Sequence, residues 1–249
     1  RPAASGADMR SILVDDGLAQ RCYTYIDDAV EAIGRVIEDT SGATSRQAFN
    51  IGNPRNFNRV FELASTLTSA KYLKWSTADD FWAPTFVARA LEVMEGDPTI
   101  VLCYPQATFV DSRGDNPKPY DDVLHLMQAD PCERFRSLLE RIQRAHQHLG
   151  LIRMSCLRGT HLLGTYSASD ITLLAELSLH GKFFEIPERL YFRRFHETSG
   201  SWKSGDARHA LKFYHASNVR KARFERWRAL AGLVAAVHTA PLTWRARMQ

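Results

Sequence analysis

The chain has 249 residues, 45% of them apolar and 24% charged, with a formal net charge of +4. That length allows one large or two small domains, and the composition is that of an ordinary globular protein rather than a disordered chain or a charge-driven nucleic-acid binder. Cys22, Cys103, Cys132 and Cys156 lie far apart without a Cys-x-x-Cys pair, which argues against a zinc ribbon or disulfide framework and fits a reducing, cytoplasmic compartment. No run of about 18 apolar residues is present, so no membrane span is expected. A first residue other than Met, without a signal-peptide pattern, reads as a fragment or a processed product.

Residues 1 to about 10 read as a weakly held start. Ser11–Val14 is a strand candidate, Asp15-Asp16-Gly17 a turn, and the alternating Cys22–Ile26 a second strand. Asp27-Asp28 opens a helix expected over Ala29–Glu38, with Val30, Ile33, Val36 and Ile37 on one face, and Ala48–Gly52 is a third strand. The runs Gln20-Arg21-Cys22-Tyr23-Thr24-Tyr25-Ile26-Asp27-Asp28-Ala29-Val30 and Phe49-Asn50-Ile51-Gly52-Asn53-Pro54 resemble the substrate-domain part of extended short-chain dehydrogenases, of the nucleotide-sugar epimerase and UDP-glucuronate decarboxylase kind. The resemblance covers about residues 8–54 and implies that Arg21 contacts the nucleotide-sugar diphosphate. The glycine-rich cofactor turn and the Tyr-x-x-x-Lys pair are both absent, so there is no place for the pyrophosphate of NAD, and no NAD is expected to bind.

Asn53 to Ala64 fits that family and also the one that the following residues bring in, which points to a fusion or recombination near 53–64. Next, Tyr72, Leu73 and Trp75 form an apolar, aromatic run that reads as a short buried strand, and Asp79-Asp80 stand at its end. Paired acids at the carboxyl end of a strand are well placed to hold a divalent cation; they serve equally well as loop acids capping the next helix. Pro84 starts that helix, whose apolar positions 87, 90, 91 and 94 share one face. Asp97-Pro98 breaks it, and Ile100–Tyr104 reads as a fully buried strand.

Strand, acid pair, helix, Asp-Pro and strand, with the spacing Tyr-hydrophobic-x-x-x-x-x-Asp-Asp, resemble the centre of the family-2 glycosyltransferases over about residues 53–200. That resemblance implies an α/β fold, a truncated GT-A-like (Rossmann-like) mixed sheet flanked by helices, with a short α/β epimerase-like segment ahead of it. The donor would be a nucleotide-sugar, a UDP-sugar being expected, held at Arg59, Asp79, Asp80, Arg193 and Arg194. Asp80 and His196 would ligate Mn²⁺ or Mg²⁺, and Asp170 would be the base that deprotonates the acceptor hydroxyl of a glycan or lipid-linked acceptor. Asp170 alternatively only complements the dipole of its helix, and His196 is alternatively structural. The family carries about two further βα units ahead of the acid pair, and an unrelated segment stands in their place here.

Further along, Ala107–Asp111 continues as a strand, Asn116–Asp130 reads as a long loop, and Pro131–Ala145 as a helix. His146 and His148 point apart at helical spacing, so they read as a solvated helix end rather than a metal pair. Ser169 is expected to cap a helix that Gly181 stops. Phe183–Glu188 and Leu190–His196 are expected to form a strand pair. From Lys203 on, ten Lys and Arg face only Asp206 and Glu225, with aromatic and aliphatic residues interleaved at helical spacing.

The expected organisation is 1–54 epimerase-like, 55–202 transferase-like and 203–249 a basic amphipathic helical tail. Peripheral contact of that tail with the inner face of a membrane, or plain packing on the catalytic domain, both follow from its pattern; nucleic acid is not expected. Unpaired sheet edges make a homodimer an expectation. The expected activity is inverting, metal-dependent sugar transfer. An inactive fusion remnant and an NAD-dependent epimerase or decarboxylase fragment are the alternatives.

Overall fold

A computed structural model describes residues 11–14, 19–22, 54–67, 69–77, 80–120, 122–164, 166, 168–194 and 224–243. The chain divides into two compact units, Arg1–Thr68 and Ser69–Gln249. In the first, β1 (Ser11–Val14) pairs antiparallel with β2 (Ala19–Cys22), and α1 spans Pro54–Leu67. Proline fits the first turn of α1 because the missing N–H has no partner there in any helix. Phe57 and Phe61, one turn apart, are both buried. The helix and strand expected over Ala29–Glu38 and Ala48–Gly52 lie outside the described residues.

The second unit is α/β, with a six-stranded mixed sheet flanked by helices. Its strands are β3 (Tyr72–Lys74), β4 (Phe81–Trp82), β5 (Ile100–Val110), β6 (Lys118–Tyr120), β7 (Leu151–Arg153) and β8 (Lys182–Arg194). Their order is β3-β7-β5-β8-β4, with β6 antiparallel to the far half of β5. β5 and β8 run parallel at the centre; β7 is antiparallel to both β3 and β5. The helices are α2 (Phe86–Gly96), α3 (Pro131–Arg141), α4 (Met154–Leu157), α5 (Ser169–His180) and α6 (Glu225–Thr239).

The core follows from these patterns. Phe86, Ala90 and Met94, at the helical spacing of four, lie against Ile100, Cys103, Leu151, Ile186 and Leu190 of the sheet. α5 is buried nearly all round, its polar Ser169, Thr172, Glu176 and Ser178 included, and packs among β5, α3 and α6. Asp97 ends α2 by accepting the Thr99 N–H and hydroxyl at 2.8 and 2.6 Å, an Asx turn that a helix interior cannot offer.

Several expectations are corrected. Ile100–Tyr104 and Ala107–Val110 are one strand, and so are Phe183–Glu188 and Leu190–Arg194: the latter two are no strand pair but the 13-residue β8. Both cross a proline at an irregularity, the register stepping from Pro105↔Ile186 to Gln106↔Arg189. A proline that cannot donate to the ladder is accommodated at such a bulge, so it bends the strand instead of ending it. The long loop after Asp115 contains β6. Ser169 is the first residue of α5 rather than its cap; Ala168 takes that place at φ 64° with no side-chain bond. Gly181 ends α5 in an extended conformation, φ 177°, not a left-handed one. Its glycine is needed for space, since a Cβ would sit 2.3 Å from Val101 Cγ1 and 2.6 Å from the Thr99 carbonyl.

Candidate functional site

Asp80 follows β3 and precedes β4, where the chain crosses from one edge of the sheet to the other. Its Oδ2 accepts hydrogen bonds from the Thr77 hydroxyl at 2.6 Å and the Tyr191 phenol at 2.5 Å, and its Oδ1 accepts the Arg194 N–H at 3.0 Å. The carboxylate therefore joins the end of the β3 segment to the end of β8. Rings surround it: Phe81 stacks on Phe192 at 4.8 Å, and Trp82 stacks on Tyr191 at 4.2 Å. Lys74 Nζ sits 3.8 Å above the Trp82 ring. Burial pulls the Lys74 ammonium down to about 8, against the opposing pull of Asp80.

Strand alternation divides the two arginines at the end of β8. Arg194 shares a face with Phe192 and lies over Phe81, its guanidinium 5.4 Å from the ring centre; its Nε is buried without a hydrogen-bond partner among the described residues. Arg193 shares the other face with Tyr191, and its charge acts on Tyr191, Tyr120, His146 and His148. The two do not form one cationic clamp.

Beneath Arg193 lies a buried polar group. The Tyr120 phenol and the Arg144 N–H both donate to Asp122 Oδ2 at 3.1 Å, and His146 Nδ1 is 3.9 Å from the same oxygen. Burial, reinforced by Arg193 and His148, lowers His146 to about 3, so it is neutral. His146 stands among Tyr104, Tyr120 and Tyr191 rings, with centroids 5.0–5.8 Å away. The expectation of a solvated histidine pair is thus overturned: α3 stops at Arg141, and residues His146–Leu149 form a separate 3-10 turn that enters the core. The buried Leu149 and Leu151 that follow were the sequence signal for this, outweighed by the helical spacing assumed for the histidines.

His148 is half-buried and places Nδ1 2.5 Å from the Ala145 carbonyl. A carbonyl only accepts, so Nδ1 carries the hydrogen and Nε2 presents its lone pair. Burial lowers its pKa, while Asp170 draws it back up. Asp170 sits in the first turn of α5, its Oδ1 accepting its own Ile171 N–H at 2.9 Å. His148, read from the sequence as part of a solvated helix end, is thus under the opposing influence of Asp170 and Arg193.

Other expected site residues are not brought in. Asp79 and His196 lie outside the described residues; Arg21 in β2 and Arg59 in α1 belong to the first unit, and their side chains are not among those described. No group of three or more His, Cys, Asp or Glu that could cage a cation occurs among the described residues. A carboxylate has about four lone-pair sites, and three of Asp80's are occupied, leaving one on Oδ1. That suits a cation held by one or two carboxylates with water and substrate phosphates, the usual manner of Mg²⁺, and does not suit a preformed protein cage. Among the described residues, no helix is long and apolar enough to cross a membrane. No protein-family model matches the chain.

Proposed function

We propose that the second unit is a truncated GT-A-like domain that transfers a sugar from a nucleotide-sugar, a UDP-sugar, to a hydroxyl of a glycan or lipid-linked acceptor with inversion. The observation that carries this reading is the Asp80 carboxylate between β3 and β4, fixed by Thr77, Tyr191 and the Arg194 N–H with one lone pair of Oδ1 left open. Asp80 Oδ1, with Asp79 beside it in sequence, would hold a divalent cation that neutralises diphosphate charge. The unfilled Nε–H of Arg194 would bind a phosphate oxygen. Asp170 takes the acceptor's hydroxyl proton as the oxygen bonds to the anomeric carbon. The bond from that carbon to the diphosphate oxygen breaks, and the nucleoside diphosphate leaves with the electron pair.

Calorimetric titration of UDP with and without Mn²⁺, on the parent protein and on Asp80→Asn, tests the donor site. Metal-dependent binding that the variant loses supports the reading.

A second reading, an inactive fusion remnant, draws on the same carboxylate: three protein donors already satisfy Asp80, as they would in a purely structural staple. No UDP binding under any condition favours it.

A further inference from the structure

α6 is built the wrong way round for a helix that only covers a core. Its inner side carries the small residues: Ala236 and Ala240 are fully buried and pack with Leu179 of α5. Gly232 comes so close to α5 that a Cβ would stand 2.8 Å from Thr172 Cγ2. Thr239 donates to the buried Glu176 at 3.2 Å. The large apolar side chains point the opposite way. Trp227, Leu230 and Val234 fall within about a sixth of a turn of one another at 100° per residue, and they are 68%, 49% and 50% exposed. Phe224, at the start of the helix, is 60% exposed.

A helix with its bulky apolar face in water needs a second partner, because such contiguous patches are rare on free surfaces. Charge indicates which. Between residues 203 and 228 eight Lys or Arg stand against Asp206 and Glu225, a formal excess of six positive charges leading into the stripe. Arg226 is exposed beside it. A second copy would carry the same excess next to its own stripe in sequence, and like charges would oppose the pairing. An anionic lipid surface meets it with the opposite sign, and tryptophan is well suited to the boundary between headgroups and acyl chains.

We propose that the outer face of α6, centred on Trp227, Leu230 and Val234, is an interfacial anchor that lies on an anionic bilayer. The α5 contact holds it so that the apolar stripe faces the lipid. The anchor stands independently of the sugar-transfer reading.

Co-sedimentation of the full chain with vesicles of phosphatidylcholine alone, or mixed with phosphatidylserine, tests it. Binding is expected only with phosphatidylserine present and should weaken with salt. Trp227→Ser with Leu230→Ser, both at exposed positions, should lower the partition coefficient at least about tenfold, since apolar burial and lipid charge act together in interfacial binding. Circular dichroism of the variant should be unchanged. No binding to phosphatidylserine vesicles, or binding that the double variant retains, overturns the anchor. A concentration-dependent dimer in sedimentation equilibrium that the same variant abolishes assigns the stripe to self-association and overturns it as well.

Discussion

Tyr191 donates its phenol hydrogen to Oδ2 of Asp80, while Oδ1 of the same carboxylate receives the N–H of Arg194, three residues further along β8. Two points on one strand thus grip an acid from a loop that lies 111 residues earlier. Tyr191 is fully buried and Asp80 half-buried, so the phenol reaches the acid from the dry side. Tyr191→Phe removes one donor to a charged acceptor and should cost about 1.5–3 kcal/mol. Urea unfolding midpoints measure it; an unchanged midpoint would mean that the bond contributes nothing to stability.

Lys74 reports on the same acid. Burial holds its ammonium near 8, and Asp80 is the influence that keeps it from falling further. Asp80→Asn should therefore move the Lys74 titration down. Reductive ¹³C-methylation followed by NMR titration resolves the residue, and an upward shift would show that the two are not coupled as described.

Metal affinity should depend on nucleotide. With one lone pair left on Asp80, Mn²⁺ alone should bind weakly and UDP should strengthen it through phosphate oxygens. Calorimetry of Mn²⁺ with and without UDP separates the cases. Tight binding of Mn²⁺ alone would point to a cage that the described residues do not supply.

His146 sets an acid limit on stability. Its folded pKa is about 3, against about 6.5 in an unfolded chain. Between these values the unfolded chain binds the proton and the folded one does not. The contribution is therefore fully present above about 6.5 and is lost as the pH falls towards 3, at up to about 1.4 kcal/mol per pH unit. His146→Phe keeps a ring in place and should flatten the pH dependence of the urea midpoint. An equally steep acid limb in the variant would remove His146 from the explanation.

Gly181→Ala tests a close approach. The added carbon would press on Val101 and the Thr99 carbonyl, where α5 turns into β8. The φ of 177° is open to any residue, so the cost is steric alone, about 1–3 kcal/mol. A thermal unfolding midpoint equal to that of the parent would mean that the two segments part without penalty.

Local signals carried much of the second unit. α2 was readable from Val87, Ala90, Leu91 and Met94, although the face it buries is Phe86, Ala90 and Met94, leaving Val87 exposed. The first half of β5, Ile100–Tyr104, was readable as a continuous apolar run. The misreadings came where a local rule met a tertiary one. Pro105 fell between two expected runs and Pro187 inside the first strand of an expected pair, and both lie at an irregularity in a paired centre. His146 looked like a surface residue because its partners, Tyr120, Asp122 and Tyr191, come from remote positions. The pairing of Asp80 with Tyr191 has no signature in sequence at all, since 111 residues separate them.

That separation also bears on how the chain is made. β5 finds its parallel partner β8 only when Lys182–Arg194 has been synthesised, with Ile100 opposite Lys182. At about 5–20 residues per second, the apolar run from Ile100 to Tyr104 leaves the ribosome several seconds before the strand that will cover it. Slow codons placed after residue 110 would lengthen that wait and lower the yield of folded protein, whereas slow codons placed after residue 194 would leave it unchanged.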